Sequence, residues 1–303
     1  MMNPLVVGGA GFLGSHLVDR LLAEGWPTDV VDDLSTGMLG NLSDARSAGG
    51  SLKIHTLDVR AGDFASVVGM RRPDVIYHLA LLTPGQADHD ADGTAIPNLL
   101  AVLEAARLHG VGKVVVAVPA GSLYGDVPSR DLPVKESRAF VPQGLRGVLA
   151  NTVIQLLDLY RDEHAVEHTA LALSSVYGPR QRAGDGVVAA FAAAMAQGQP
   201  LLVHGDGRQT RDLLYVDDAV DALFRAGQRG SGLVVNVGTG AQTSIRDLAR
   251  VMDPAAEIVN VARRHGDLTR IAVSPTRARI HLQWSPWTEL AIGLRSTIAS
   301  FGE

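Results

Sequence analysis

No cysteine occurs in the 303 residues, which excludes disulfides, thiolate nucleophiles and cysteine metal sites. Lysine is almost as scarce: only Lys53, Lys113 and Lys135 are present, and the other basic side chains are arginines. Chemistry that needs a lysine beyond position 135 is excluded too. No apolar run approaches the roughly eighteen residues a membrane span requires, and the first apolar stretch starts too soon after Met1 for a signal peptide. A formal charge of −5 gives no reason to expect a nucleic-acid partner. The expectation is a soluble, cytoplasmic chain long enough to bury a substantial core in one or two domains.

What is present begins with Pro4–Val7, an apolar run leading into Gly8-Gly9-Ala10-Gly11-Phe12-Leu13-Gly14 and then a helical pattern at Leu17, Val18, Leu21 and Leu22. Strand, glycine loop and helix in this order let the backbone approach a pyrophosphate, which rests on the free N–H groups and positive end of the helix. A second apolar stretch, Asp29-Val30-Val31, ends in Asp32-Asp33-Leu34-Ser35-Thr36-Gly37. A carboxylate about twenty residues beyond the glycines accepts from ribose hydroxyls and repels a 2′-phosphate. Asp32 is therefore assigned to the ribose, and NAD is favoured over NADP.

Further on, Leu52–Leu57, Val75–Leu79, Val114–Val118 and Thr169–Leu173 read as buried strands, alternating with helical patterns at Phe64–Met70, Asn98–His109 and Arg146–His164. Such alternation predicts an α/β fold with a doubly wound parallel sheet covered on both faces. After Tyr177-Gly178-Pro179-Arg180 the pattern loosens into a helix at Val187–Ala196, a strand at Leu201–Val203 and mixed elements. A smaller C-terminal substrate domain is expected there, with a cleft between the two parts.

Together with Leu57-Asp58-Val59-Arg60, His78-Leu79-Ala80, Leu123-Tyr124-Gly125, Gly205–Asp212, Tyr215-Val216-Asp217-Asp218 and Asn236–Gly240, these segments make the chain resemble an extended short-chain dehydrogenase/reductase of the nucleotide-sugar epimerase/dehydratase type over nearly its whole length. The resemblance implies a Rossmann-type NAD-binding domain over residues 1–173, with about 213–237 returning to it, and an α/β substrate domain over 174–303. Gly8, Gly11, Phe12, Leu13, Gly14, Asp32, Asp33 and Ser35 would hold the cofactor. Asp58 and Val59 would lie at its adenine, and Leu79 and Ala80 beside its ribose and phosphates. A nucleoside-diphosphate sugar would be held by Arg211 and Arg264, whose guanidinium forks suit a diphosphate. A surface salt bridge is the competing account of each arginine. Ser175 stands where the family has an asparagine, and Ala95 where it has another.

In such enzymes a tyrosine transfers the proton while a lysine lowers its pKa from about 10, and a serine or threonine orients the reacting oxygen. Registered on Tyr124-Gly125, on Pro142 and on Tyr160–His164, those positions fall at Ala120, Arg146 and Ala150. No tyrosine between 145 and 163 stands four residues before a lysine, so the motif is absent and not shifted. Arg146 cannot replace the base because a guanidinium stays protonated. It can serve as an electrophile or anion anchor, or simply fill the helix surface. Among the five tyrosines, Tyr77 and Tyr215 fall in strands and Tyr160 in a helix, whereas Tyr124 and Tyr177 fall in loops. Tyr124 and Ser122 are the candidate surrogates, against a reading of Tyr124 as a buried loop cap. His78 reads as a packed residue. The loop Gly85–Gly93, with three aspartates around His89, reads as a solvated segment with Asp92 as a helix cap in preference to a metal site, so no metal is expected.

Two functional classes follow: an NAD-dependent enzyme acting on a nucleotide sugar with non-standard acid/base groups, or a degenerate relative serving as a ligand-binding scaffold. A homodimer is expected through the helices at Asn98–His109 and Arg146–His164, with Val153, Leu156 and Leu159 facing outward.

Overall fold

The structure, a computed structural model, describes residues 2–82, 93–264 and 266–302. The first half runs β1 (Pro4–Val7), α1 (Phe12–Ala23), β2 (Thr28–Asp32), α2 (Ser43–Ser47), β3 (Leu52–Thr56), α3 (Gly62–Arg71), β4 (Val75–His78), α4 (Ala95–His109), β5 (Lys113–Pro119), α5 (Ala120–Tyr124), α6 (Gly144–His164) and β6 (Glu167–Leu173). It continues with β7 (Ser175–Tyr177), α7 (Val187–Ala196), β8 (Leu201–His204), β9 (Thr210–Arg211), β10 (Leu213–Tyr215), α8 (Val216–Gln228), β11 (Leu233–Val237), β12 (Thr243–Ser244), α9 (Ile245–Met252), β13 (Ile258–Val261), α10 (Thr276–His281) and α11 (Leu290–Gly302).

Seven strands form one parallel sheet in the order β11-β6-β5-β4-β1-β2-β3. β1 sits centrally, with Leu5 opposite both Asp29 and Ile76. The period of two along β1 divides its side chains between the layers. Leu5 and Val7 pack with Phe64 and Val68 of α3, Leu99 of α4 and Val153 of α6, while Val6 packs with Leu17 of α1 and Leu223 of α8 on the other face. Each such buried Leu or Val stabilises the fold by about 1.5–3 kcal/mol relative to exposure. β11 returns to the sheet edge beside β6, although it follows the first strands of the C-terminal part. A third apolar cluster, including Phe191, Leu201, Leu248 and Leu294, forms that part around the parallel pair β8–β13.

Three local expectations need correction. α4 starts at Ala95, not Asn98, because Pro97 lies in the first helical turn, where a missing N–H costs nothing. Tyr124 closes the short helix α5, and Tyr177 lies in β7, where it pairs with Tyr215. Val153 is not outward-facing but fully buried, and Leu156 packs against the same core, whereas Leu159 is exposed.

Candidate active site

The strand order reverses direction at β1, so the loops after β1 and β4 diverge at the carboxyl edge, where ligands enter such sheets. Gly8 turns there with φ +82° and donates its N–H to Val31 O at 2.8 Å. A Cβ on Gly14 would stand 2.0 Å from Gly8 O, and one on Gly8 2.9 Å from Ala80 N. Only glycine therefore permits this close packing of loop, helix and β4 exit. α1 begins with neither an acidic residue in its first turn nor a side-chain cap, so its amide donors can receive an anion.

Asp32 is held at the end of β2 by Ala10 N–H at 2.8 Å on one oxygen and Leu34 N–H at 2.9 Å on the other. Burial raises its pKa, and these two donors oppose the rise. The carboxylate is rigid and retains lone pairs for ribose hydroxyls. Asp33 is exposed and accepts from Ser35 N and Oγ. The Arg60 guanidinium, 2.5 Å from Asp58, holds that carboxyl below the usual range. All twelve residues assigned to the cofactor line one cavity of about 590 Å³. The glycine cradle, open helix terminus and rigid carboxylate fit a dinucleotide.

The same cavity continues past Ser175 to Arg211 and Arg264. Arg211 donates to Thr210 O and Leu268 O at 2.9 Å each and pairs with Asp267. Arg180 pairs with Asp19 at 2.7 Å, and Arg182 with Asp185 at 2.9 Å. Arg264 instead donates from Nε to His204 Nε2 at 3.1 Å.

Between the two ends, Ser122 on α5 and half-buried Arg146 on α6 line the wall, brought together because Gly147 packs directly on Ser122 O. Ala120 and Ala150 are both fully buried. Tyr124 does not join Ser122 and Arg146: it is fully buried, lies outside the cavity lining, and donates its hydroxyl to Asn236 Oδ1 at 2.9 Å. Burial pushes its phenol further from ionisation. The expectation of Tyr124 as surrogate acid/base gives way to a buried tie between α5 and β11. His78 is fully buried, both ring nitrogens find no hydrogen-bond partner among the described residues, and burial drives its pKa down to about 3, as befits a packed residue. The polar loop 85–92 lies outside the described residues.

Four cavity residues escaped sequence reasoning. Among the described residues, Asn98 Oδ1, Ser174 Oγ and Gln181 Oε1 are buried without hydrogen-bond partners, and His204 contacts Arg264. Gln181 directly follows the Tyr177–Arg180 motif and Ser174 precedes Ser175, so both had a positional signal. Asn98 had none, standing among apolar residues in the first half of its helix.

A doubly wound parallel sheet whose glycine loop opens into an arginine-flanked second compartment defines the class of dinucleotide-dependent enzymes. The chain belongs to the NAD dependent epimerase/dehydratase family, whose family model matches residues 4–238. It is 38% identical to the UDP-glucose 4-epimerase of Mycolicibacterium smegmatis, over 99% of this chain and 98% of the relative. Among solved structures it is similar to the UDP-glucose 4-epimerase of Thermotoga maritima with UDP-glucose, at 31% identity and a TM-score of 0.91, covering 99% of this chain and 98% of that one. It is also similar to the UDP-glucuronic acid 4-epimerase of Bacillus cereus in complex with UDP-glucuronic acid and NAD, at 26% identity and a TM-score of 0.90, covering 99% of both chains. NAD is accordingly its cofactor, and the full-length match to enzymes favours the enzyme reading over the scaffold.

Proposed function

We propose that the protein converts a nucleoside-diphosphate sugar, with uridine as the nucleoside, by NAD-dependent chemistry that dispenses with the tyrosine–lysine pair. The observation that carries this reading is the continuity of one cavity from the dinucleotide loop to Arg211 and Arg264. The relatives act on or bind UDP-sugars, and the Arg264 guanidinium, with Arg211 beside it in the same cavity, supplies the bidentate donors a diphosphate takes. Ser175 would add a hydroxyl there. In this reading Ala120, Arg146 and Ala150 occupy the family's hydroxyl, tyrosine and lysine positions.

NAD, when bound, supplies the hydride acceptor and donor. Ser122 then holds the reacting sugar hydroxyl, both accepting and donating a hydrogen bond. Arg146 stabilises the oxyanion formed as that hydroxyl loses its proton, so water can take the proton without a dedicated basic side chain. A substrate carboxylate or a ketone oxygen would be anchored by the same guanidinium.

The protein is proposed to act as a cytoplasmic homodimer. Leu100 and Leu108 on α4 and Leu145, Val148 and Leu159 on α6 leave apolar side chains exposed, which supports pairing through these helices.

Denaturing the purified protein and assaying released nucleotide tests the cofactor, with about one NAD per chain expected after reconstitution. Incubation with a panel of UDP-sugars, followed by proton NMR, product mass and solvent-deuterium incorporation, tests the reaction. Tight binding of every sugar nucleotide without turnover would restore the scaffold reading.

A further inference from the structure

His204 ends β8, opposite Val261 at the end of β13, and its carbonyl is fixed by Gln209 Nε2 at 2.7 Å. Its imidazole stands between two partners that admit one arrangement. Ala262 O, 3.0 Å from Nδ1, can only accept, so Nδ1 carries the proton. Arg264 Nε, 3.1 Å from Nε2, can only donate, so Nε2 presents its lone pair. Both demands select the same neutral tautomer, and the ring is locked as a bridge from strand end to guanidinium.

The consequence is electrostatic. Four arginines line this end of the cavity, and three are compensated: Arg180 by Asp19 and Asp44, Arg182 by Asp185, and Arg211 by Asp267. Arg264 alone among these four has no carboxylate partner among the described residues, and its guanidinium makes no other hydrogen bond there. Holding it by Nε leaves both terminal nitrogens for a ligand in the parallel fork that phosphate oxygens take. A carboxylate in His204's place would cancel the charge, whereas a neutral acceptor orients it and leaves the charge intact.

We propose that His204 is a positioning residue that orients Arg264 for the diphosphate of the substrate without neutralising it. This rests on the reading that a nucleoside diphosphate occupies the Arg211–Arg264 end. It also assigns His204 to phosphate recognition and not to contact with the nucleoside base.

Calorimetric titration with UDP and with uridine, on full-length protein of measured NAD content, separates the possibilities. Replacing His204 by Leu should weaken UDP binding about tenfold, the scale of one hydrogen bond to a charged group, and leave uridine binding unchanged. His204→Gln returns an acceptor to the Nε2 position and should bring UDP affinity back to within about threefold of wild type. In a double-mutant cycle, adding His204→Leu to Arg264→Ala should cost nothing further, since the histidine acts through the arginine. NAD content should stay the same throughout. Equal losses for UDP and uridine, additive losses in the cycle, or no rescue by glutamine would each overturn the role of His204. A wild-type protein that holds NAD but fails to bind UDP would overturn the substrate reading itself, and this proposal with it.

Discussion

Tyr124 and Ser122 lie two residues apart on one helical turn and meet different environments. Ser122 borders the cavity, while Tyr124 turns inward to Asn236, which also donates to Val134 O. Tyr124→Phe should leave Asn236 Oδ1 buried without its donor and cost about 1–3 kcal/mol of stability, measured by chemical denaturation, with turnover nearly unchanged. A fall of about 10²-fold or more in kcat would return Tyr124 to the chemistry. His78 gives a pH signature. Its neutral ring is held down to about 3 in the fold, against 6.5 when exposed, so between these values the unfolded chain binds more protons. Stability contributed by the neutral form is complete above the unfolded value and lost as pH falls through the window, by at most about 1.4 kcal/mol per pH unit. His78→Leu should flatten that slope when denaturation midpoints are compared across the acid range. At this scale the sequence disclosed residue types but not directions: that no lysine follows Lys135 was plain, whereas the inward turn of Tyr124 depends on Asn236, 112 residues away.

Among the elements, the glycine loop with α1 was legible because its constraints are local. Period, glycine spacing and the apolar run of β1 all belong to adjacent residues. Gly14→Ala places a methyl group where Gly8 O stands 2.0 Å away, forcing α1 off the loop. The expected outcome is a folded protein retaining less than about a tenth of its NAD after purification, read by nucleotide release against circular dichroism. The short elements α5 and β7 were not legible. A five-residue helix shows no period, and β7 exists because Ser175–Tyr177 finds Leu213–Tyr215 as a partner. α4 was found but begun late, since Pro97 reads as a boundary unless its place in the first turn is known.

Over the whole molecule, the carboxyl-edge cavity follows from the parallel sheet, which is why all twelve expected cofactor residues border it. Asn98 and His204 come to it through packing that no local pattern encodes, whereas Ser174 and Gln181 adjoin residues already singled out. The exposed apolar faces of α4 and α6 carry the quaternary expectation. Val148, 53% exposed on α6, is well placed to test it. Val148→Glu should convert a dimer to a monomer in light scattering while NAD content is kept; an unchanged mass would remove this face from any interface. The central claim is that the fold still turns over a sugar nucleotide with Arg146 in place of the usual tyrosine. Its most direct test is proton NMR of a UDP-sugar panel incubated with NAD-loaded wild-type protein and with Arg146→Ala. We expect a new sugar-nucleotide product from the wild type, formed about 10²-fold more slowly or not at all by the variant. Full NAD occupancy and tight UDP-sugar binding without any product from the wild type, or equal rates from both proteins, would contradict it.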